Sequence, residues 1–151
     1  MTALRGKWSV RVEGLETRLA VGLSDAEREP RPVRVSLLID GLAPDTPGGL
    51  ADCIDHAPIC DWITEHWPQS AHTPLLETRV NELLAFVFAF DKRVQDVWVG
   101  LYRPLDASPA ARVGIERQST RRRFEEQMHS LDLRARAGGR PDLARAASAK
   151  E

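Results

Sequence analysis

The stretch Pro74-Leu75-Leu76-Glu77-Thr78-Arg79 opens the segment of the chain with the clearest periodicity. From residue 74 to 90, apolar side chains recur at the spacing of one helical face, which predicts an amphipathic helix. They are Leu76, Val80, Leu83, Leu84, Val87 and Phe88. Pro74 suits a first helical turn, and Glu77 then falls near a helix N-terminus that favours its negative charge. We therefore assign the other elements outward from this helix.

A second helix is predicted directly before it, over residues 55–67. Ile59, Ile63 and Trp67 recur every four positions, and Pro58 suits the first turn. Glycines and prolines crowd residues 41–49 ahead of this helix, so we expect a loop there. The two helices are thus consecutive in the chain, with a loop on the N-terminal side of the pair.

Four segments alternate apolar and polar residues, as half-buried β-strands do. They cover residues 8–21, 33–39, 94–101 and 112–117. We expect the first, which is long, to bend at Gly14. The first two form a hairpin whose irregular tip, residues 22–32, carries charges and turn residues.

The element order strand, strand, helix, helix, strand, strand predicts the fold class. It indicates an α+β domain with a four-stranded antiparallel sheet and both helices on one face. The second face and the edges of such a sheet are left open, which favours oligomerisation. Sheets placed side by side would close into a barrel.

Length and composition indicate one globular domain with a tail. Of the 151 residues, 42% are hydrophobic and 28% are charged. We place the domain at residues 1–118 and a charged, Ala/Arg-rich tail at 119–151, with a short helix around 124–133 and disorder beyond Gly138. A formal net charge of −1 gives no electrostatic reason to expect nucleic acid or a membrane surface as partner.

Several classes of protein are not expected from this sequence. No apolar run approaches the roughly 18 residues of a membrane span, so we expect a cytoplasmic protein. Cys53 and Cys60 form neither a zinc motif nor a disulfide framework, and we interpret both as reduced packing residues. His66 and His72 lack a third ligand at metal spacing, so no metal site is expected.

Glu77 is the strongest candidate for ligand recognition. A carboxylate accepts two hydrogen bonds from a flat amidine-like edge, such as that of a pterin or guanine ring. The helix N-terminus would favour its negative charge there. The alternative is that Glu77 merely occupies a first helical turn, where acidic residues are common.

Four short stretches, in the order of the predicted elements, resemble the dihydroneopterin aldolase family. They are GLSDAE (22–27), DCIDH (52–56), LLE (75–77) and VGIE (113–116). The resemblance covers roughly residues 8–118 and implies the tunnelling fold, with tetrameric or octameric assemblies and pterin sites between subunits. It also implies retro-aldol cleavage, or epimerisation, of the side chain of 7,8-dihydroneopterin or a related pterin in folate or pterin cofactor biosynthesis. That reaction needs no metal, Schiff base or cofactor.

The resemblance also implies roles for individual residues. Glu77 corresponds to the glutamate that binds the pterin ring, with a backbone contact from Leu76 beside it. Ile54 corresponds to a residue of the adjacent subunit whose main chain holds the pterin. Glu27 corresponds to a loop glutamate near the reacting side chain.

Two positions depart from the family pattern, and they concern catalysis. His56 stands where the family has a tyrosine, and Arg103 stands where it has a lysine. A guanidinium stays protonated, so Arg103 is a poor general base, whereas an imidazole exchanges protons near neutral pH. We therefore predict Glu27, His56 and Arg103 as catalytic residues, with His56 and Glu27 moving the protons.

Three alternatives stay open. His56 would simply cap its helix if the family match were set aside. The chain would bind a pterin without turnover if Arg103 cannot replace the family lysine. It would be an interaction module if the basic tail recruits a partner.

Overall fold

A computed structural model of the chain describes residues 5–105 and 108–138. The strands are β1 (Arg5–Leu19), β2 (Arg31–Pro44), β3 (Val94–Leu105) and β4 (Ser108–Thr120), and the α-helices are α1 (Ala57–Asp61), α2 (Leu76–Phe90) and α3 (Arg121–Gly138). The predicted order and the α+β class are confirmed. None of the helices in the described residues is long and apolar enough to span a membrane.

The strands form one antiparallel sheet in the order β1-β2-β3-β4. One of its faces is covered over the two central strands, because alternate residues of β2 and β3 point into the core. Val33, Val35, Leu37, Ile39, Val97, Val99 and Leu101 are each at most 2% exposed. The β1 register shifts between Val12 and Leu15, so the predicted bend at Gly14 takes the form of a bulge.

The helices supply the other half of the core. The helical segment after Ala57 changes from α1 to a π turn at Trp62–His66 and a 3-10 turn at Trp67–Gln69. A four-residue apolar spacing exceeds the 3.6 residues of an α-helical turn, and the wider π turn returns each apolar residue to the same face. The predicted stripes are buried except for Leu76, which is partly exposed: Ile59, Ile63, Trp67, Val80, Leu83, Leu84, Val87 and Phe88.

Two local predictions are wrong. Residues 41–49 are not entirely loop, because β2 continues to Pro44: Gly41 pairs with Trp8, and the Leu42 N–H donates to the Arg93 carbonyl (3.2 Å). Partners distant in the chain thus overcome the local glycine and proline signals. Pro74 is not in the first turn of α2, since Leu75 is the N-cap and the helix begins at Leu76.

The open face of the sheet is polar. Arg34 forms an ion pair with Glu16 across β1 and β2 (3.0 Å). On the same face, the Tyr102 ring lies where a Cβ on Gly100 or Gly114 would stand, and its hydroxyl donates to Glu116. That hydrogen bond raises the pKa of Tyr102 to about 12.

The chain divides into two compact units between Arg121 and Arg122. In the second unit, α3 has no buried residue and carries ion pairs one turn apart, such as Arg122 with Glu126 (3.2 Å). The helix is longer than the short one predicted around residues 124–133. The disorder predicted beyond Gly138 lies outside the described residues.

Candidate functional site

The end of the sheet where β1 stops and β2 begins holds an open cavity of about 210 Å³. We call it the cavity end and define it by Leu19, Arg31 and Arg103. Apolar and charged groups line the cavity together: Leu19, Val21, Pro32, Val33 and Pro104 with Glu27, Arg31 and Arg103. Leu19 of β1 pairs with Arg31 of β2, and Arg103 directly follows Tyr102 of β3, which pairs with β2. The strand pairing therefore fixes the relative positions of Leu19, Arg31 and Arg103.

Glu27 and Arg103, predicted as catalytic residues, meet at this cavity. The hairpin tip folds into a 3-10 turn, Asp25–Arg28, which places the Glu27 carboxylate over the sheet. The Arg103 Nη1 donates to Glu27 Oε2 and also to the Val21 carbonyl (3.2 Å). Two residues 76 apart in the chain therefore form one ion pair.

The environment of Glu27 keeps it ionised. Ser24 Oγ donates to Glu27 Oε1 (2.7 Å), and this bond together with the Arg103 pairing holds the pKa of Glu27 below its usual range, although partial burial opposes them. A carboxylate with a lowered pKa is a weak general base. Glu27 is therefore better suited to orient Arg103 than to move protons.

Gly22 makes room for this arrangement. Its φ of 139° lies in a region that side chains with a Cβ rarely adopt, and a Cβ would overlap the Glu27 side chain. Substitution at Gly22 would displace the acid from Arg103.

Backbone hydrogen bonds tie the same corner to the start of α2. Val21 forms a parallel bridge with Thr73. The Gly22 N–H donates to the Thr73 carbonyl, and the Thr73 N–H donates to the Ala20 carbonyl, both at 3.2 Å. His72, interpreted from sequence as a surface residue, is exposed, but its Nε2 lies 2.9 Å from the Gly22 carbonyl.

A buried cation reinforces this junction. Arg79 is 0% exposed. Its Nη2 donates to the carbonyls of Ala20 and Ala71 (2.8 Å each), and its Nη1 donates to Glu82 Oε2 (3.0 Å) and Ser70 Oγ. Arg79 therefore joins α2 to both the end of β1 and the loop before the helix.

Glu77 and Leu76 lie in the first turn of α2, as predicted. Glu77 is exposed and is not part of the cavity lining. Among the described residues, its carboxylate makes no hydrogen bond or ion pair. Leu75 at the N-cap provides no side-chain cap, so the first N–H groups of the helix lack a side-chain acceptor. Because the Thr78 N–H donates to the Leu75 carbonyl (3.2 Å), the described residues leave the Leu76 and Glu77 N–H groups as the open donors beside the Glu77 carboxylate.

Ile54 and His56 lie at the other end of the sheet, which we call the far end and define by Gly41, Ile54 and Arg93. The Ile54 side chain packs against Gly41, and Arg93 holds the preceding loop through two carbonyl oxygens (3.1 and 2.9 Å). Within the described part of the chain, the Ile54 main chain makes no hydrogen bond. Gly41 is about 27 Å along β2 from Val33, at about 3.4 Å per residue.

His56 is exposed at the N-cap of α1, and its side chain makes no capping bond. Asp55 Oδ1 instead accepts the Ala57 N–H (3.0 Å), so His56 occupies the N-cap position without a capping bond from its side chain. One copy of the chain therefore brings Glu27 and Arg103 together, joins them through backbone to Glu77, and leaves His56 and Ile54 remote.

Two residues of this site were not singled out from the sequence. Ser24 stands three before Glu27, the S-x-x-E spacing in which a serine and a glutamate approach each other. Arg79 lies on the buried stripe beside Val80, with Glu82 one turn later, and that position is its only sequence signal. Among the described residues, no group of three or more His, Cys, Asp or Glu side chains could hold a metal ion.

Solved structures with the same fold are known, although no protein-family model and no curated protein matches the sequence. Escherichia coli dihydroneopterin aldolase in complex with neopterin is similar with a TM-score of 0.63 and 21% identity, over 74% of this chain and 97% of that one. A Vibrio cholerae putative dihydroneopterin aldolase gives 0.62 and 21%, over 80% and 100%. Burkholderia thailandensis dihydroneopterin aldolase bound to guanine gives 0.57 and 20%, over 76% and 92%. The chain therefore has the fold of these enzymes.

Proposed function

We propose that this chain is a pterin enzyme of the dihydroneopterin aldolase kind. It would cleave or epimerise the side chain of 7,8-dihydroneopterin or a related pterin, in folate or pterin cofactor biosynthesis. The observation that carries the proposal is the Glu77 carboxylate at the start of α2, which has no partner among the described residues. Backbone hydrogen bonds of Thr73 connect the chain just before this helix to Ala20 and Gly22, next to the Glu27–Arg103 ion pair.

Glu77 would recognise the ring. Neopterin and guanine, the ligands of two structures with this fold, share a flat edge with an amino group beside a ring N–H. A carboxylate accepts both N–H groups in parallel. The free N–H groups at Leu76 and the helix N-terminus would add donors for ring acceptors.

A complete site would need a second copy. The cavity of about 210 Å³ is smaller than the roughly 300–1,000 Å³ of typical ligand pockets. Gly41, against which Ile54 packs, lies about 27 Å along β2 from Val33 of the cavity lining. The contribution of Ile54 and His56 would therefore come from a neighbouring subunit. The open sheet edges and polar face suit closure into a ring of four or eight copies.

The chemistry divides between the two ends. In a retro-aldol cleavage, a base takes the proton of a side-chain hydroxyl, the adjacent carbon–carbon bond breaks, and the carbon left on the ring takes up a proton. Arg103 stays protonated and would stabilise the developing oxyanion, with Glu27 fixing its orientation. His56 of the neighbouring copy would carry the protons.

A second candidate function is pterin binding without turnover. It is favoured by the cavity end itself, where Arg103 is paired with Glu27 and the pKa of Glu27 is lowered. Neither group is then suited to exchange protons at neutral pH. Arg103→Lys separates the two candidates, because an ammonium gives up its proton more readily than a guanidinium. If the missing lysine alone prevents turnover, this variant should raise cleavage at least about 10-fold, within the range of general acid–base catalysis.

The proposal is tested by calorimetry with 7,8-dihydroneopterin, together with an assay for glycolaldehyde and for the epimer. Glu77→Gln should weaken binding at least about 10-fold, since hydrogen bonds to charged groups contribute about 1.5–3 kcal/mol. Glu65→Gln, at an exposed acid of the other helical segment, is the matched control and should bind normally. Binding without product supports the second candidate, and absence of binding rejects both.

A further inference from the structure

The charged groups of the candidate site lie on different elements of the fold. Glu77 belongs to α2, whereas Glu27 belongs to the hairpin tip and Arg103 to β3. A ligand that contacts both Glu77 and the Glu27–Arg103 pair needs them at a fixed spacing, because a misplacement of about 1 Å can cost about 100-fold in rate. That spacing depends on the contacts that join α2 to the end of β1.

Arg79 makes such a contact from the same helical turn as Glu77. The two residues are two positions apart in α2, and Arg79 is 0% exposed. Arg79 Nη2 donates to the Ala20 carbonyl (2.8 Å). The next carbonyl along the chain, that of Val21, accepts from Arg103 Nη1 (3.2 Å). Two arginines thus hold consecutive carbonyls of one stretch of backbone, Arg79 from the helix and Arg103 from the sheet.

The other contacts of Arg79 fix the orientation of its guanidinium. Nη2 also donates to the Ala71 carbonyl (2.8 Å), and Nη1 donates to Ser70 Oγ and to Glu82 Oε2 (3.0 Å). Nε is buried and has no partner within the described part of the chain. The two Nη groups therefore provide the whole attachment, and each serves its own pair of acceptors. A lysine ammonium is a single donor centre and cannot serve both pairs.

Resting on the function proposed above, we propose that Arg79 is a positioning residue for the pterin site. It sets the spacing between Glu77, which would bind the ring, and Arg103, which would face the side chain of the ligand. Arg79 is itself fully buried and touches neither part of the ligand. Its effect is therefore confined to ligands that contact both groups, whereas a ring held by Glu77 alone does not depend on the spacing.

The test compares affinities for neopterin and for pterin, which has the same ring without the side chain, by calorimetry on the full chain. The wild type should bind neopterin at least about 10-fold more tightly than pterin, because the side chain adds hydrogen bonds to a charged group. Arg79→Lys should lower this affinity ratio about 10-fold and leave the affinity for pterin unchanged. A merely structural role of Arg79 would lower both affinities alike.

Two further variants complete the test. Leu84→Ala is the matched control, because it destabilises the same helix from a fully buried position and leaves the Arg79 hydrogen bonds in place. It should not change the affinity ratio. Ser70→Ala is a milder variant that removes one acceptor of Arg79 Nη1, and it should lower the ratio about 3-fold.

The outcomes separate this inference from the function on which it rests. An unchanged ratio in Arg79→Lys overturns the positioning role and leaves pterin binding intact. If Arg79→Lys does not fold, an unchanged ratio in Ser70→Ala overturns the role instead. A wild type that binds both ligands equally also overturns it, because the side chain then makes no contact that Arg79 could position. Failure of both ligands to bind rejects the proposed function together with the inference.

Discussion

The cavity end and the far end of the sheet hold different kinds of groups. The cavity end carries charge that is already arranged: Glu27 is paired with Arg103, and Glu77 stands free at the start of α2. The far end offers the unpaired main chain of Ile54 and the exposed imidazole of His56. Under the proposed function, the cavity end would bind and orient the ligand, and the far end would exchange protons with it.

Under the proposed function, these two sets of groups would act on one pterin only if two copies of the chain met. About 27 Å of rigid β-strand separates the two sets of groups, and strands do not shorten on ligand binding. If both sets act on one ligand, two copies must meet with the cavity end of one beside the far end of the other.

The largest expected effect comes from mixing variants of the two ends. His56→Ala and Glu77→Gln should each lower kcat/KM at least about 100-fold. For His56 this loss lies within the range of general acid–base catalysis. For Glu77 it reflects the loss of both the ring contacts and the charge. Co-refolded in equal amounts, they should recover about a quarter of wild-type activity if sites draw one end from each of two copies. Mixed oligomers that stay inactive would contradict a site built from two copies. Each variant refolded alone is the control.

Each end of the sheet has one arginine that donates to two backbone carbonyls, Arg79 at the cavity end and Arg93 at the far end. The two ends can therefore also be compared by the stability that these arginines provide. Arg79→Met should lower the free energy of unfolding by about 3 kcal/mol, because it removes four hydrogen bonds of a fully buried guanidinium. Arg93→Met should cost about 1 kcal/mol, since its side chain is 29% exposed and water can replace it. Urea denaturation measures both. Equal losses would show that the burial of Arg79 contributes nothing of its own.

The smallest expected effect is a pH-dependent change in stability that arises from Glu27 at the cavity end. Folding lowers the pKa of Glu27, so the ionised carboxylate stabilises the folded state. This stabilisation is fully present above the pKa of Glu27 in the unfolded chain. It is lost as the pH falls through the pKa of Glu27 in the folded chain. Ser24→Ala should raise that pKa towards its usual value and cost about 1 kcal/mol at neutral pH. The difference from wild type should vanish in acid. Ser24→Thr keeps the hydroxyl and should behave as wild type, whereas a pH-independent loss in Ser24→Ala would contradict this linkage.

Local periodicity was enough to predict most of the fold. The stripes around Leu83 and Ile63 and the alternation around Val35 identified the helices and strands, because burial of one face repeats at a fixed interval. The continuation of β2 through Gly41 depends on partners in β1 and on Arg93, which no local pattern contains. Strand length was therefore underestimated where distant pairing sustains it.

The sequence was enough to propose individual residues of the site, but not to predict how they are arranged in space. Glu27 and Arg103 could be proposed individually, but their ion pair depends on how the hairpin tip folds over the sheet. The burial of Arg79 could not be foreseen, since a charge on an apolar stripe becomes tolerable only when backbone carbonyls converge on it. Such convergence is a property of the tertiary structure.

The Tyr102 ring lying across Gly100 and Gly114 has a consequence for the alignment of neighbouring strands. A slip of β4 by one residue would set Val113 or Ile115 against the ring instead of Gly114, and either side chain would collide with it. The aromatic ring therefore permits one alignment of β3 with β4.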